Sequence, residues 1–311
     1  MRASKTIDPE LLDYYARVAR ELPLPPTLDV DARRRRMETI AQRFPAPRDD
    51  IARSDRRIAA AGREIPVRIY RHGPGTLPAI VYLHGGGWVA GSIDTHDGAC
   101  AALARDAGAA VVSVDYRRPP EHPYPAPNED ASDALAWVFA HAGELDIDRA
   151  RIAVAGDSAG AHLAACVSLE TRERDGPPIR AQLLIYPVIA PEFDTSSYRE
   201  HATTPSLTRD DMMWYWSQYL PQTMASHGSR AIPSRAASHA GLPTAHIVVA
   251  QFDPLRDEGV RYADLLAAAG VRVTCREESG LTHGFLRAAP YVAAARRAQL
   301  ALGTAIGGLL R

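Results

Sequence analysis

Gly156-Asp157-Ser158-Ala159-Gly160 stands where the apolar run Ile152-Ala153-Val154-Ala155 gives way to the helical pattern of Ala161, Leu163, Ala164 and Ala165. This G-x-S-x-G pentapeptide constrains the fold more than any other stretch. A serine at a sharp strand-to-helix turn is lifted clear of the sheet with its hydroxyl exposed. The flanking glycines permit the close backbone approach that such a turn demands. The new helix directs its free N–H groups and positive dipole end at charge forming beside the serine. A bland alternative, a tight packing turn, is weakened by a second element. Three glycines follow the apolar run Ala79-Ile80-Val81-Tyr82-Leu83 in His84-Gly85-Gly86-Gly87. A phosphate loop would carry a lysine after its glycines, but Trp88-Val89-Ala90-Gly91 follow. The pattern suits a donor loop, with the N–H groups of Gly85, Gly86 and Ala159 expected to converge on one oxyanion.

A serine nucleophile needs a base. Among 11 histidines, His283 in Gly280-Leu281-Thr282-His283-Gly284-Phe285 has the right context, a glycine-flanked loop beyond a strand. His246 lies within a strand pattern, and His141, His201, His227 and His239 have polar, surface-like neighbours. Asp253 follows the apolar run 246–252 and precedes Pro254. A carboxylate at a strand's carboxyl end faces the crevice where open α/β sheets place their sites. A helix N-cap is its alternative role. Asp257 and Glu258 fall in the first turn of the next helix, where acidic residues complement the dipole. The chain order Ser158, Asp253, His283 is the α/β-hydrolase order.

These stretches, with Asp115-Tyr116-Arg117, the run from Pro120 to Ala126 and Asp253-Pro254-Leu255-Arg256-Asp257-Glu258, resemble the hormone-sensitive-lipase-like family of bacterial esterases. The chain departs from that pattern at Arg118-Pro119 and Ala161-His162. The resemblance implies an α/β-hydrolase fold, a mostly parallel sheet flanked by helices, with a helical cap built partly from the N-terminus. It implies a serine carboxylester hydrolase with Ser158, Asp253 and His283 as triad and Gly85, Gly86 and Ala159 as oxyanion donors. It also implies short- or medium-chain acyl esters, no metal or organic cofactor, and a homodimer paired through the last strand, Val271 to Cys275. An amidase or deacetylase on the same scaffold and a non-catalytic ligand receptor are the rival readings.

Strand patterns at 67–70, 79–84, 109–116, 151–156, 181–187, 245–252 and 271–276 alternate with helical ones, as in a parallel sheet covered on both faces. Antiparallel strands are expected around 51–60. Residues 1–50, with amphipathic stretches from Pro9 and Val30 separated by Leu22-Pro23-Leu24-Pro25-Pro26, form the first part of the cap. Residues 51–189 form the first part of the core, 190–229 the second part of the cap, and 230–311 the rest of the core. In the second cap segment Met212, Trp216, Tyr219 and Leu220 share one helical face. Met212 and Trp216, with Trp88, Tyr186, Leu207, Leu255 and Phe285 beside motif ends, are the candidate walls of an acyl pocket. His162, four residues past Ser158, is expected to be a packed histidine; a second titrating group near the nucleophile is the alternative.

A net charge of −1, from 36 basic and 37 acidic residues, offers no electrostatic footprint for nucleic acid or an anionic membrane. The basic run Arg33-Arg34-Arg35-Arg36 is read as a solvated helix face, and Arg117 with Glu121 as an ion pair under the donor loop. Cys100, Cys166 and Cys275 have no metal-ligand spacing and are expected to be buried thiols in a reducing compartment. The first residues carry no apolar signal-like core, and no stretch reaches membrane-spanning length, so cytoplasmic residence is expected.

Overall fold

A computed structural model describes residues 6–23, 28–221 and 224–311; Leu24-Pro25-Pro26 of the expected break lie outside the described residues. Eight strands form one sheet in the order β1-β2-β4-β3-β5-β6-β7-β8. The strands are β1 (Ala52–Ala60), β2 (Arg63–Arg71), β3 (Leu77–Leu83), β4 (Ala110–Val114), β5 (Ile147–Asp157), β6 (Ala181–Ile185), β7 (Thr244–Phe252) and β8 (Val273–Thr282). β1 and β2 run antiparallel at one edge, β2 pairs antiparallel with β4, and every later pairing is parallel. Strands buried on both faces read as near-continuous apolar runs. β4 and β6 follow that rule, with every residue buried.

The period-two alternation sorts β3 side chains into two cores. Ala79, Val81 and Leu83 join one cluster, while Ile80 and Tyr82 join the other. Helices α4 (Ala126–Ala140), α5 (Ala159–Glu173) and α8 (Arg256–Ala268) contribute to the first; α3 (Asp97–Ala107) and α9 (Ala293–Leu310) contribute to the second. The N-terminal residues form α1 (Pro9–Glu21) and α2 (Val30–Arg43), and the interruption after β6 forms α6 (Ser196–Glu200) and α7 (Arg209–Tyr219). α7 starts at a capping box between Thr208 and Asp211.

β8 continues six residues beyond its sequence signal. Glu277, Glu278 and Ser279 are polar and Gly280 follows them, so no apolar alternation marks this part, although Glu278 and residues 280–282 are buried.

The Arg33–Arg36 run is not a solvated face. Arg33 pairs with Asp211 and donates to the Tyr215 hydroxyl at 2.9 Å, which ties α2 to α7. Arg34 donates to both Glu121 oxygens at 2.7 Å and to the Val89 carbonyl at 2.8 Å. Glu121 is therefore the partner of Arg34, whereas Arg117 pairs with Asp130 and Glu129. Long guanidinium side chains reach carboxylates and carbonyls that the helix periodicity gives no hint of. Two further expectations are corrected. Cys275 is exposed, because it lies on the sheet edge, and His239 is buried, its Nε2 3.1 Å from the Pro233 carbonyl.

Candidate active site

The turn between β5 and α5 is as tight as its glycines suggest. Ser158 has φ +55° and ψ −120°, a conformation costly for a residue with a Cβ. A Cβ on Gly156 would come within 2.6 Å of the Leu83 carbonyl oxygen, and one on Gly160 would collide with it. Trp88 and Tyr186, also near this turn, hold positive φ as well, +62° and +36°. Backbone strain of this kind persists only where the surroundings enforce it, and it concentrates at sites.

Strand register brings the other groups to the serine. Phe252 of β7 is paired with Thr282 of β8, so the residues that follow, Asp253 and His283, leave the sheet side by side. His283 Nδ1 lies 2.8 Å from Asp253 Oδ2, and Nε2 lies 2.8 Å from Ser158 Oγ. The Asp253 carboxylate also accepts the Leu255 N–H at 2.8 Å, which fixes its plane and gives it the capping geometry that is its alternative role. With Asp253 ionised, Nδ1 carries the proton and Nε2 is free to accept from the serine. All three residues are buried, Asp253 completely.

The donor loop needs one correction. The Gly85 N–H is given to Asp157 Oδ1 at 2.9 Å, so it is spent on a carboxylate. A Cβ on Gly85 would also run into that side chain. The N–H groups of Gly86 and Gly87, at φ +125° and +61°, and of Ala159 have no acceptor among the described residues. The sequence marks the loop but not which of its amides Asp157 claims.

Asp157 is the organising residue beneath the site, and the sequence hints at it only through its place in the pentapeptide. Its carboxylate accepts from the Tyr82 hydroxyl at 2.8 Å and the Tyr186 hydroxyl at 3.3 Å, with His96 Nε2 3.4 Å away. Burial pushes this carboxyl up, but the adjacent His96 and the Tyr82 hydrogen bond outweigh it and hold it well below the usual range. Tyr15 of α1, which carries no sequence signal, places its hydroxyl 2.7 Å from Thr282 Oγ1 and donates to the His283 carbonyl at 3.3 Å.

The candidate pocket walls fall into two groups. Tyr186 packs edge-on against the His283 ring at 4.7 Å between centroids, with Phe285 behind it at 5.1 Å. Trp88 stacks on Tyr219 at 4.4 Å and meets Trp216 at 4.8 Å, with its Nε1 3.3 Å from His162 Nδ1. Trp88, Trp216 and Phe285 have no exposed surface, so they are core residues rather than pocket walls. An aromatic cluster that fills its own space leaves no room for an acyl chain. Met212, Leu207 and Leu255 are buried in the same cluster as Trp88. His162 is the packed histidine, wedged among Trp88, Trp216 and Tyr219. A cavity of about 640 Å³ is bounded by Tyr14, Met37, His96 and Arg287, and none of Ser158, Asp253 and His283 lines it.

Among the described residues no cluster of His, Cys, Asp and Glu is arranged to hold a metal ion, and no helix is long and apolar enough to cross a membrane.

The strained serine turn, the register-paired aspartate and histidine and the glycine loop define a class, and comparison with known proteins agrees. Residues 80–287 match the α/β-hydrolase-fold family, and the chain belongs to it, in the hormone-sensitive-lipase-like group. It is 41% identical to the esterase LipI of Mycobacterium tuberculosis over 237 residues, 76% of this chain and 70% of that one. It is 44% identical to the carboxylesterase NlhH of the same organism over 200 residues, 63% of either chain. This aligned part thus spans less than two thirds of NlhH. A hyperthermophilic esterase from the archaeon Pyrobaculum calidifontis superimposes with a TM-score of 0.91 at 38% identity, covering 97% of this chain and 98% of that one. A thermostable esterase from Pseudomonas putida gives 0.93 at 34% identity, covering 100% and 99%.

Proposed function

We propose that this chain is a serine carboxylesterase that cleaves short- to medium-chain acyl esters through an acyl-enzyme. Its class, carboxylic ester hydrolase, is that of the named esterases among its sequence and structural relatives. The observation that carries the mechanism is the hydrogen-bonded chain Ser158–His283–Asp253, with the serine held at a positive-φ turn.

His283 Nε2 takes the Ser158 proton as Oγ attacks the ester carbonyl. Asp253 holds the tautomer and stabilises the imidazolium. The Gly86, Gly87 and Ala159 N–H groups receive the oxyanion, each worth about 3 kcal/mol of barrier. His283 then protonates the departing alcohol, and water repeats the sequence to release the acid. No metal or organic cofactor enters any step.

A panel of p-nitrophenyl esters and the corresponding anilides, run on wild type and Ser158→Ala, tests this reading. Butanoyl and hexanoyl esters are expected to exceed hexadecanoyl in kcat/KM, with anilides far slower and Ser158→Ala inactive. Preference for the anilides would make the chain an amidase. Retained activity in Ser158→Ala would remove the serine from the chemistry.

A further inference from the structure

Three consecutive glycines give the donor loop its N–H groups but no side chains to hold them. Glycine has the widest backbone freedom of any residue, yet an oxyanion donor must stand within about 2.7–3.1 Å of the place where charge forms. A displacement of about 1 Å can cost about a hundredfold in rate. The loop braces itself at one point, where the Ala90 N–H donates to the Gly86 carbonyl at 2.9 Å. Gly87, at φ +61°, is held from outside.

Helix α7 does the holding. A Cβ on Gly87 would stand 2.2 Å from Tyr215 Cδ1 and 2.4 Å from Cε1 and Cγ, so the ring rests directly on this glycine. One turn further along, Tyr219 stacks at 4.4 Å on Trp88, the residue next to Gly87. Positions four apart share one face of a helix, and this face lies along the loop.

Tyr215 is held in turn by α2. Arg33 Nη1 donates to its hydroxyl at 2.9 Å, and Nη2 pairs with Asp211, one turn earlier on α7. The Arg33 and Asp211 side chains are only 15% and 17% exposed, so salt screens the pair little. The guanidinium carbon stands 5.2 Å from the ring centroids of both Trp214 and Tyr215, within cation–π range. The other Asp211 oxygen accepts from the Thr208 N–H at 2.9 Å and hydroxyl at 2.7 Å, which fixes the start of α7. Arg34, the next residue on α2, grips the donor loop itself at the Val89 carbonyl, 2.8 Å away. The arginine run thus reaches the loop twice, once directly and once through Tyr215.

We propose that Tyr215 and Arg33 are positioning residues for the oxyanion: Arg33 joins α2 to α7, and the Tyr215 ring that it holds sets the direction of the Gly87 N–H. This role rests on the esterase reading, because it acts only through charge that forms on the ester carbonyl oxygen.

The test uses wild type, Tyr215→Ala, Tyr215→Phe, Arg33→Met and the exposed control Arg35→Met. p-Nitrophenyl butanoate gives kcat and KM. Pentyl trifluoromethyl ketone gives a second readout that packing alone would not move. Ser158 Oγ adds to its carbonyl carbon, the serine proton passes to His283, and the carbonyl oxygen becomes an oxyanion facing the donor loop. Tyr215→Ala should lower kcat about tenfold with KM within about twofold, and should weaken the ketone by the same factor as kcat. Tyr215→Phe keeps the ring without its tether, and Arg33→Met removes the tether from the other side; each should lose about threefold in both readouts. Arg35→Met should match wild type. Melting temperatures identify the variants that are folded under assay conditions; if Tyr215→Ala is not, Tyr215→Phe and Arg33→Met decide. Folded variants with unchanged kcat and ketone affinity overturn the proposal, and so does a fall in kcat that leaves ketone affinity untouched. A wild type that hydrolyses no ester sinks the esterase reading and this role with it, whereas an active wild type with unchanged variants removes the role alone.

Discussion

His162 shows how a residue one helical turn from the proposed nucleophile can be structural. Its Nε2 lies 2.9 Å from the Ala231 carbonyl and its Nδ1 accepts from Trp88, a pattern that uses the neutral ring fully. Burial pushes its pKa down to about 3. On acidification the unfolded chain therefore binds this proton first, near pH 6.5. The stabilisation is complete above that value and is lost as pH falls toward 3, at about 1.4 kcal/mol per pH unit for one proton. Urea unfolding of His162→Asn at pH 6 and pH 4 should show a shallower loss than wild type by that single-proton slope. An equal loss would mean the ring already titrates in the native state. The pH–rate profile of this variant should keep its wild-type shape, because a ring that stays neutral above pH 4 contributes no limb. At this scale the serine, the aspartate and the histidine are legible in the sequence, since turn chemistry and strand ends mark them. Tyr15 is not, since its role depends on atoms far away along the chain.

Among the elements, α1 and α2 do more than cover the sheet. Tyr15 on α1 braces Thr282 and the His283 carbonyl. Arg34 on α2 joins the donor loop, through the Val89 carbonyl, to Glu121. Loss of one such hydrogen bond costs about 1 kcal/mol in stability, whereas slack in the proposed catalytic histidine costs rate directly. Tyr15→Phe is thus expected to lower kcat several-fold with KM and melting temperature nearly unchanged. A variant that lost stability without losing kcat would make Tyr15 a packing residue only. The strand starts and helix stripes are readable from periodicity. The far half of β8 is not, nor is the inward turn of Arg33, Arg34 and Arg36, because polar side chains at an edge or over a carbonyl leave no periodic trace.

For the molecule as a whole, β8 closes the sheet order and so presents an unpaired ladder. Its outer residues Thr274, Cys275, Arg276 and Glu277 are exposed. We propose that two chains pair along this edge; exposed strand edges invite such pairing. Sedimentation of wild type should report a dimer, and a monomer at micromolar concentration would end the idea. Chain order and local pattern are enough for the family, the parallel sheet and the choice of Ser158, Asp253 and His283 as the proposed triad, because strand, turn and helix signals are short-range and these residues stand at strand ends. The tertiary structure alone decides that Gly85 serves Asp157, that Trp88 and Trp216 fill the core, and that Arg34 pairs with Glu121. Those outcomes depend on which groups meet across the fold, and hydrogen-bond partners, burial and charge balance are properties of such meetings.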